Sequence, residues 1–344
     1  MSIEIREARK TDADLWDSIV NENPTGSTFH FFDWIHITEK HTNSRLYPLF
    51  VYEGSEVIGL LPLFFQKRQG ISLVFSPPPQ SGLLALGPVL HHFESLKQQK
   101  QEQLHTKFWS AIDTFIRTDL KADYVRIALP CGYTDPRPLH WSGYSTELAF
   151  DYSVDLTVSP DTLWSQLSSD DRKKIKKAKS LDFTIQKGER KELATIHSLM
   201  QKRYEDQHKT MTISLPHLLE LYDRYPDLFV VFTGAYENQI VTGDNHVISK
   251  NSIIAWIDNP KSSIKLALPP NDLVRWQSIQ YACERGFSQY IQMGAAGNVV
   301  RHTHFSKFNP RLQIRYYAHK QSFVAGCLEK TYRNIVKPVK DRLL

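Results

Sequence analysis

The sequence predicts a mixed α/β protein in which one fold occurs twice in tandem. The chain has 344 residues, enough for about two domains of roughly 150 residues each. An eight-residue motif occurs twice, as YEGSEVIG from Tyr52 and as YENQIVTG from Tyr236, with four identical positions. Apolar runs precede and follow both copies. Two apolar runs around a short turn rich in Gly and Asn are typical of a β-hairpin, so the sequence predicts hairpins over 49–65 and 228–248.

A helix and then a strand follow each predicted hairpin. In the first copy the helix is indicated by apolar residues at helical spacing, namely Leu104, Phe108, Ala111 and Phe115. In the second copy the predicted helix covers 271–285 and ends before Gly286, a residue typical of helix C-termini. Strands mixed with helices in this way indicate α/β or α+β layers around a mixed sheet.

Two tryptophans align the helices of the two copies. Trp109 begins the sequence WSAI and Trp276 begins WQSI, and Tyr124 and Tyr290 follow them at nearly equal spacing. The first copy is longer by about 17 residues between hairpin and helix, and the Pro- and Gly-rich segment 77–88 is the predicted place for them. We place the domain boundary near residue 155, which predicts an N-terminal domain over 1–155 and a C-terminal domain over 156–344.

Composition and charge indicate a globular protein with an apolar core and a mild excess of positive charge. Apolar residues make up 41% of the chain, and 42 Lys and Arg stand against 37 Asp and Glu, a net charge of +5. This mild excess permits an anionic partner without requiring one, and the apolar content supplies a core. The first residues lack the apolar core of a signal peptide, and the most apolar stretch, 49–65, is interrupted by charges and Pro62. We therefore expect a cytoplasmic protein without stable membrane insertion.

The cysteines and histidines predict neither a disulfide framework nor a metal site. Cys131, Cys283 and Cys327 lie far apart, and no CxxC pair occurs. His302 and His304 are separated by one residue, so they would face apart on a helix, and the sequence offers no further ligand near them. The prediction therefore includes no metal and no bound cofactor.

Four short motifs resemble those of the FemABX family of peptidyltransferases, which contain two fused acetyltransferase-like domains of the GNAT type. The motifs are 27–34 (STFHFFDW), 171–178 (DRKKIKKA), 270–273 (PNDL) leading into Trp276, and Met293-Gly294 followed by 305–308 (FSKF). The resemblance covers nearly the whole chain and implies tandem GNAT-like acyltransferase domains. On this basis Trp34 and Asn271 are expected to contact substrate. The sequence departs from the family pattern at Ser306, which interrupts the Phe-Lys pair, and in 181–229, which is too short for the helical arm of some members.

The resemblance implies transfer of an aminoacyl group from aminoacyl-tRNA to the amine of a cell-wall precursor peptide, such as a nucleotide-linked peptide, or of a similar acceptor. Such an enzyme acts mainly by positioning two large anionic substrates, and the sequence has no GxSxG motif that would indicate a nucleophilic serine. Two alternatives stay open. One is a CoA-dependent N-acyltransferase acting on a sugar or amino acid, and the other is a tRNA- or nucleotide-binding module without activity.

Six cations within eight residues form the strongest local signal. Asp170 and Asp171 precede them, where a helix dipole favours anions, so the sequence predicts a helix that packs through Ile175 and Ala178. One interpretation is binding of tRNA or nucleotide phosphates, and the other is a solvated face. The predicted binding residues in this helix are Arg172, Lys173, Lys174 and Lys177.

Two further segments supply the predicted catalytic residues. The segment 301–307 follows Gly294 and Gly297, as a loop that opens a short helix would, and it provides Arg301 for substrate and Lys307 for a phosphate or developing oxyanion. Surface charges beside a packed Phe305 and Phe308 are the other explanation of this segment. Asp244 interrupts an apolar strand and is a candidate acceptor for the proton of the attacking amine. A partly exposed edge strand is the other explanation of Asp244.

The segment that precedes Asn271 argues against CoA binding in the usual GNAT mode. A conventional GNAT enzyme holds the CoA pyrophosphate in a glycine-rich loop at the start of the helix after its central strands. Here the corresponding residues are LALPP, and proline lacks the backbone N–H that such a loop uses. The sequence therefore favours aminoacyl-tRNA over acyl-CoA as the donor.

Overall fold

A computed structural model describes residues 2–258, 260, 262, 264, 266, 268, 270–294, 299–323 and 325–326, without the side chains of 94, 258, 300, 301 and 304. The chain divides into two compact units. Unit 1 contains Met1–Pro79, Ala85–Leu148 and the described residues from Arg315 on, and unit 2 contains Gln80–Leu84 and Ala149–Ile314. The predicted division of the chain into domains near residue 155 stays a prediction.

Unit 1 contains a mixed sheet with helices. The α-helices and strands of the first part of the chain are β1 (Ile3–Glu7), α1 (Ala13–Glu22), α2 (Phe32–Thr42), β2 (Arg45–Glu53), β3 (Glu56–Arg68), β4 (Ile71–Ser76), β5 (Val89–Leu90), α3 (Gln98–Thr118), β6 (Tyr124–Ala128) and α4 (Arg137–Trp141). With β13 (Arg311–Gln321), the strands of unit 1 follow the order β1-β2-β3-β4-β6-β13, and β5 pairs with β3.

The α-helices and strands that follow are β7 (Ser145–Asp155), α5 (Pro160–Gln166), α6 (Ser169–Lys179), β8 (Phe183–Gly188), α7 (Arg190–Glu205), α8 (Leu215–Arg224), β9 (Phe229–Tyr236), β10 (Gln239–Ser249), β11 (Ser252–Asp258), α9 (Asn271–Glu284), β12 (Gln289–Gln292), α10 (Val299–Phe305) and β13 (Arg311–Gln321). In unit 2 the strands of the sheet follow the order β8-β9-β10-β11-β12-β7.

The strands of the two units are arranged in the same way, which confirms the predicted duplication. Each hairpin, β2–β3 and β9–β10, is flanked by an antiparallel edge strand on one side and by β4 or β11 on the other. In each unit a helix then leads to a strand that pairs in parallel, β6 with β4 and β12 with β11. Trp109 and Trp276 lie in these equivalent helices, α3 and α9, as the sequence predicts.

The last strand of each unit comes from elsewhere in the chain. β7 follows β6 along the sequence, yet its residues 152–155 pair antiparallel with β12. β13 follows β12 along the sequence, yet its residues 317–321 pair antiparallel with β6. The strands of each unit are therefore completed by a strand from the other half of the sequence: β13 in unit 1 and β7 in unit 2.

Both cores follow the helix–sheet packing that the apolar spacing predicts, with two adjustments in unit 1. The buried face of α3 is centred on Phe108, Trp109, Ile112 and Ile116, whereas Phe115 is only partly buried. The extra length of the first copy is also shared between loop and helix. Trp109 is the twelfth residue of α3 and Trp276 only the sixth of α9, so α3 begins more than one turn earlier.

No described helix is both long and apolar enough to span a bilayer.

Candidate functional site

The carboxyl ends of two parallel strands mark the candidate site in unit 2. β11 pairs with β12 from Ser252↔Gln289 to Ala255↔Gln292, and β12 ends there while β11 continues to Asp258. The pairing of the two strands therefore ends at their carboxyl ends. In open α/β sheets, the crevice outside the carboxyl ends of the strands is the usual place for a ligand. We call this place the β11/β12 mouth.

Helix α9 begins at Asn271, close after β11 in the sequence. The amide Nδ2 of Asn271 donates a hydrogen bond to the carbonyl oxygen of Pro260, 3.1 Å away, which ties the first residue of the helix to the preceding loop. Asp272 follows in the first turn. Its carboxylate lies 2.9 Å from Nζ of Lys307, so the helix N-terminus carries an acidic group that is already ion-paired.

Lys307 joins three elements of unit 2. It lies in a 3-10 turn (Ser306–Phe308) and is anchored by the buried Phe308 beside it. Its Nζ lies 2.9 Å from Asp272 of α9 and 3.8 Å from Asp171 of α6. An ammonium group has three N–H donors, and the side chain is 19% exposed, so one donor can still face a bound molecule. The catalytic role assigned to Lys307 from the sequence stays a prediction.

The basic helix forms as the sequence predicts and is α6. The Ser168 hydroxyl caps it by accepting from the Asp171 N–H, and Ile175 and Ala178 are buried in the apolar cluster that contains Leu273 of α9. The side of α6 opposite Ile175 and Ala178 therefore points outward.

The cations of α6 fall into three groups. Arg172 donates from Nη1 to the carbonyl oxygen of Ser165 at 2.9 Å, which links α6 to α5. Lys173 and Lys174 lie 4.0 and 3.9 Å from Asp170 and Asp171, one turn earlier in the helix. The remaining three are exposed and form no ion pair within the described part of the chain, and they are Lys176, Lys177 and Lys179.

Asp244 lies in the middle of the sheet, so the edge-strand interpretation of this residue is wrong. β10 pairs with β9 on one side and with β11 on the other. The Asp244 side chain is 1% exposed, and its Oδ2 lies 3.7 Å from Nε of Arg275, which is 2% exposed. The Arg275 guanidinium in turn lies over the Phe305 ring at 4.4 Å from its centroid. The polar residue in this strand therefore belongs to an ion pair between β10 and α9.

Tyr152 and His302 meet at the same end of the sheet, and the sequence analysis did not single out either for catalysis. Tyr152 pairs with Gln292, the last residue of β12, and its hydroxyl is hydrogen-bonded to Nδ1 of His302 in α10. Tyr152 also forms an apolar cluster with Phe305. Next to it, Asp151 accepts a hydrogen bond from the backbone N–H of Gly294. No local sequence signal could find the Tyr152–His302 pair, because 150 residues separate its members.

The structure brings together some of the predicted site residues but not all of them. Asn271, Lys307 and Asp244 all make contacts with α9 in unit 2, and α6 with its cations packs against the same helix. Trp34 lies apart, fully buried in unit 1 and packed edge-to-face on Phe29 at 5.3 Å between ring centroids. The side chain of Arg301 lies outside the described part of the structure.

No group of three or more His, Cys, Asp and Glu side chains among the described residues could hold a metal ion.

Comparisons with known proteins give a clear result for the fold alone. Neither the models of known protein families nor the curated proteins give a match to the chain. Among solved structures, FemX matches with a TM-score of 0.68 over 92% of this chain and 96% of its own, at 14% identity. A tandem GNAT protein from the clavulanic acid biosynthesis pathway matches with a TM-score of 0.57 over 93% and 98%, at 9% identity. L-PGS from Bacillus licheniformis matches with a TM-score of 0.54 over 94% and 96%, at 13% identity. The chain therefore has the tandem GNAT-like fold of FemX, which is the fold class that its sequence predicts.

Proposed function

We propose that this protein is an acyltransferase that forms an amide bond, with aminoacyl-tRNA as the donor. The tandem GNAT-like fold, shared with FemX over nearly the whole chain, supports acyl transfer as the class of reaction. The choice of donor rests on the charge at the start of α9. The acceptor is an amine, and the sequence resemblance favours that of a cell-wall precursor peptide.

The start of α9 is a poor place for the pyrophosphate of CoA. A helix N-terminus attracts anions through its dipole and its free N–H groups. Here Asp272 supplies a carboxylate in the first turn, and Asp171 lies close enough to share Lys307 with it. Two carboxylates around one ammonium leave no excess positive charge for a second anion. This observation carries the preference for a donor that is held elsewhere.

The outward face of α6 supports an RNA-linked donor. The face opposite the buried Ile175 and Ala178 presents three lysines within little more than one turn. Closely spaced ammonium groups attract a phosphate backbone and release its counterions on binding. These residues are Lys173, Lys176 and Lys177.

The donor is tested by offering the purified protein three radiolabelled donors in parallel. These are a mixed pool of aminoacyl-tRNA, acetyl-CoA and a longer acyl-CoA, each with a UDP-linked precursor peptide or an amino sugar as acceptor. We expect label to move from aminoacyl-tRNA to the peptide. Transfer from acyl-CoA alone would establish the CoA-dependent alternative, and tRNA binding without transfer from any donor would establish the binding module.

The role of α6 is tested by the salt dependence of tRNA binding. Replacing Lys173, Lys176 and Lys177 by Gln should weaken binding and reduce the slope of log K against log salt by about 2–3, since each lost phosphate contact removes about 0.7–0.9. The matched control carries the same change of charge on exposed lysines of unit 2 outside α6, namely Lys191, Lys202 and Lys209. Equal losses in the two triple variants would return α6 to the solvated-face interpretation.

A further inference from the structure

Amide formation at the β11/β12 mouth needs a group that accepts a proton. The attacking amine loses a proton as the C–N bond forms, and the leaving oxygen of the donor ester must gain one. A residue that serves both steps must be reachable from solvent. It must also have a lone pair that can take up a proton and give it back.

The charged side chains described at the mouth do not meet both conditions. Asp244 and Arg275 are 1% and 2% exposed, and Asp151 is 1% exposed, so an incoming amine does not reach them. Lys307 is an ammonium held by two carboxylates, and it has no lone pair to offer. Asp272 holds Lys307 at 2.9 Å, so its carboxylate is engaged.

His302 meets both conditions. Its side chain is exposed, and a neutral imidazole has one ring nitrogen that accepts a proton while the other donates. The Tyr152 hydroxyl holds Nδ1, and Tyr152 itself is 7% exposed and packed against Phe305, so the anchor of the ring is fixed. With Nδ1 engaged, Nε2 is the ring nitrogen that remains for a substrate. Tyr152 pairs with the last residue of β12, which places this anchor where the pairing of β11 and β12 ends.

We propose that His302 is the general base and acid of the transfer reaction, with Tyr152 as its positioning residue; the assignment rests on the proposed function. His302 donates its Nδ1 proton to the Tyr152 hydroxyl oxygen, which leaves the lone pair of Nε2 free. The amine nitrogen attacks the ester carbonyl and forms the C–N bond, and its proton passes to Nε2. The C–O bond to the donor then breaks with its electron pair, and the leaving oxygen takes the proton from Nε2. The imidazole ends neutral, so the step is balanced without a co-reactant.

The test compares His302→Ala, His302→Gln and Tyr152→Phe with the parent in single-turnover transfer from aminoacyl-tRNA to the UDP-linked peptide. Loss of a positioned acid–base group lowers such a rate by about 10²–10⁴, and we expect that loss in both His302 variants without weaker donor binding. Tyr152→Phe should retain part of the rate, because the ring keeps its base but loses its anchor. Added imidazole should restore part of the rate to His302→Ala but none to Tyr152→Phe.

His140→Gln is the matched control. His140 is also exposed and hydrogen-bonded to a hydroxyl, that of Thr146 at 3.1 Å, but it lies in unit 1, so its rate should equal that of the parent. A parent that transfers while His302→Ala transfers equally well overturns the inference and leaves the proposed function standing. Loss of rate that imidazole does not restore likewise overturns it, because a merely structural histidine behaves in that way. A parent that transfers from no donor overturns both proposals.

Discussion

The buried ion pair between Asp244 and Arg275 gives the sharpest stability prediction. Both side chains are almost fully buried, and Oδ2 of Asp244 lies 3.7 Å from Nε of Arg275. At an effective dielectric constant of about 20, unit charges at this distance attract by about 4 kcal/mol. Asp244→Asn keeps the shape of the side chain but leaves the guanidinium buried without this carboxylate. Breaking one side of a buried pair costs about 3–5 kcal/mol, and we expect that loss in the free energy of unfolding of unit 2.

The loss can be measured by urea denaturation followed through the tryptophan fluorescence. With a slope of about 2 kcal/mol per molar urea, the midpoint of the affected transition should fall by about 2 M. Asp170→Asn is the matched control, because its carboxylate is 79% exposed and its lysine neighbour lies at 4.0 Å. An exposed pair is worth at most about 1 kcal/mol, so this control should move the midpoint little.

One result would refute the reasoning. If Asp244→Asn unfolds within about 0.5 kcal/mol of the parent but no longer transfers an acyl group, the carboxylate serves the reaction and not the fold. Asp244 would then be the proton acceptor that the sequence first indicated. If stability falls while the rate per folded molecule is kept, the ion pair is structural, as its burial indicates.

Three further predictions follow from contacts described by the structure. Burial lowers the pKa of His105 to about 4 from about 6.5. Between these two pH values the unfolded chain binds a proton at His105 and the folded protein does not, so the free energy of unfolding is highest above pH 6.5 and falls as the pH drops to about 4. Urea titrations should show about 3 kcal/mol of this loss in the parent but not in His105→Leu, and equal pH profiles would contradict it. Lys307→Ala should lower turnover by about 10²–10³, because it removes the N–H donor that Asp171 and Asp272 leave available to the developing oxyanion. A turnover equal to the parent's would remove Lys307 from the reaction. Gly243→Ala would place a Cβ 2.5 Å from Cδ1 of Ile196 in α7 and 2.8 Å from the Phe232 carbonyl oxygen, so thermal denaturation should show a loss of about 1–3 kcal/mol. An unchanged midpoint would contradict the close packing of α7 on β10.

The parts of the fold that depend on local pattern were predictable from the sequence. The hairpins 49–65 and 228–248 correspond to β2–β3 and β9–β10, because each is specified by neighbouring apolar runs and a turn. Helix α9 begins at Asn271 and its C-terminus is followed by Gly286 at a φ of +78°, a conformation that glycine adopts without strain. The repeated motif in the sequence predicted that the two units have equivalent strands and helices.

The sequence could not specify the pairings between distant residues. Asp244 in an apolar strand is equally compatible with an exposed edge and with a buried partner on a helix. Only the pairing of β10 on both sides and the position of Arg275 decide between them. The same limit applies to Lys307, whose two carboxylates come from helices far apart in the sequence. For α6 the sequence pattern predicted the helix and its buried residues. Which of its cations form ion pairs depends on the fold and could not be predicted.

The exchange of last strands makes the two halves of the sequence dependent on each other during synthesis. The sheet of unit 1 needs residues 317–321 of β13, which leave the ribosome long after β6 has been made. Until then, the backbone groups of β6 on that side have no strand to pair with, and an unpaired strand invites association with another chain. A fragment that stops at residue 155 would retain this vulnerability permanently, since it ends with β7, whose residues 152–155 pair with β12 of the missing half. The protein is thus expected to express well only at full length, and nascent chains of intermediate length are the ones that would require a chaperone.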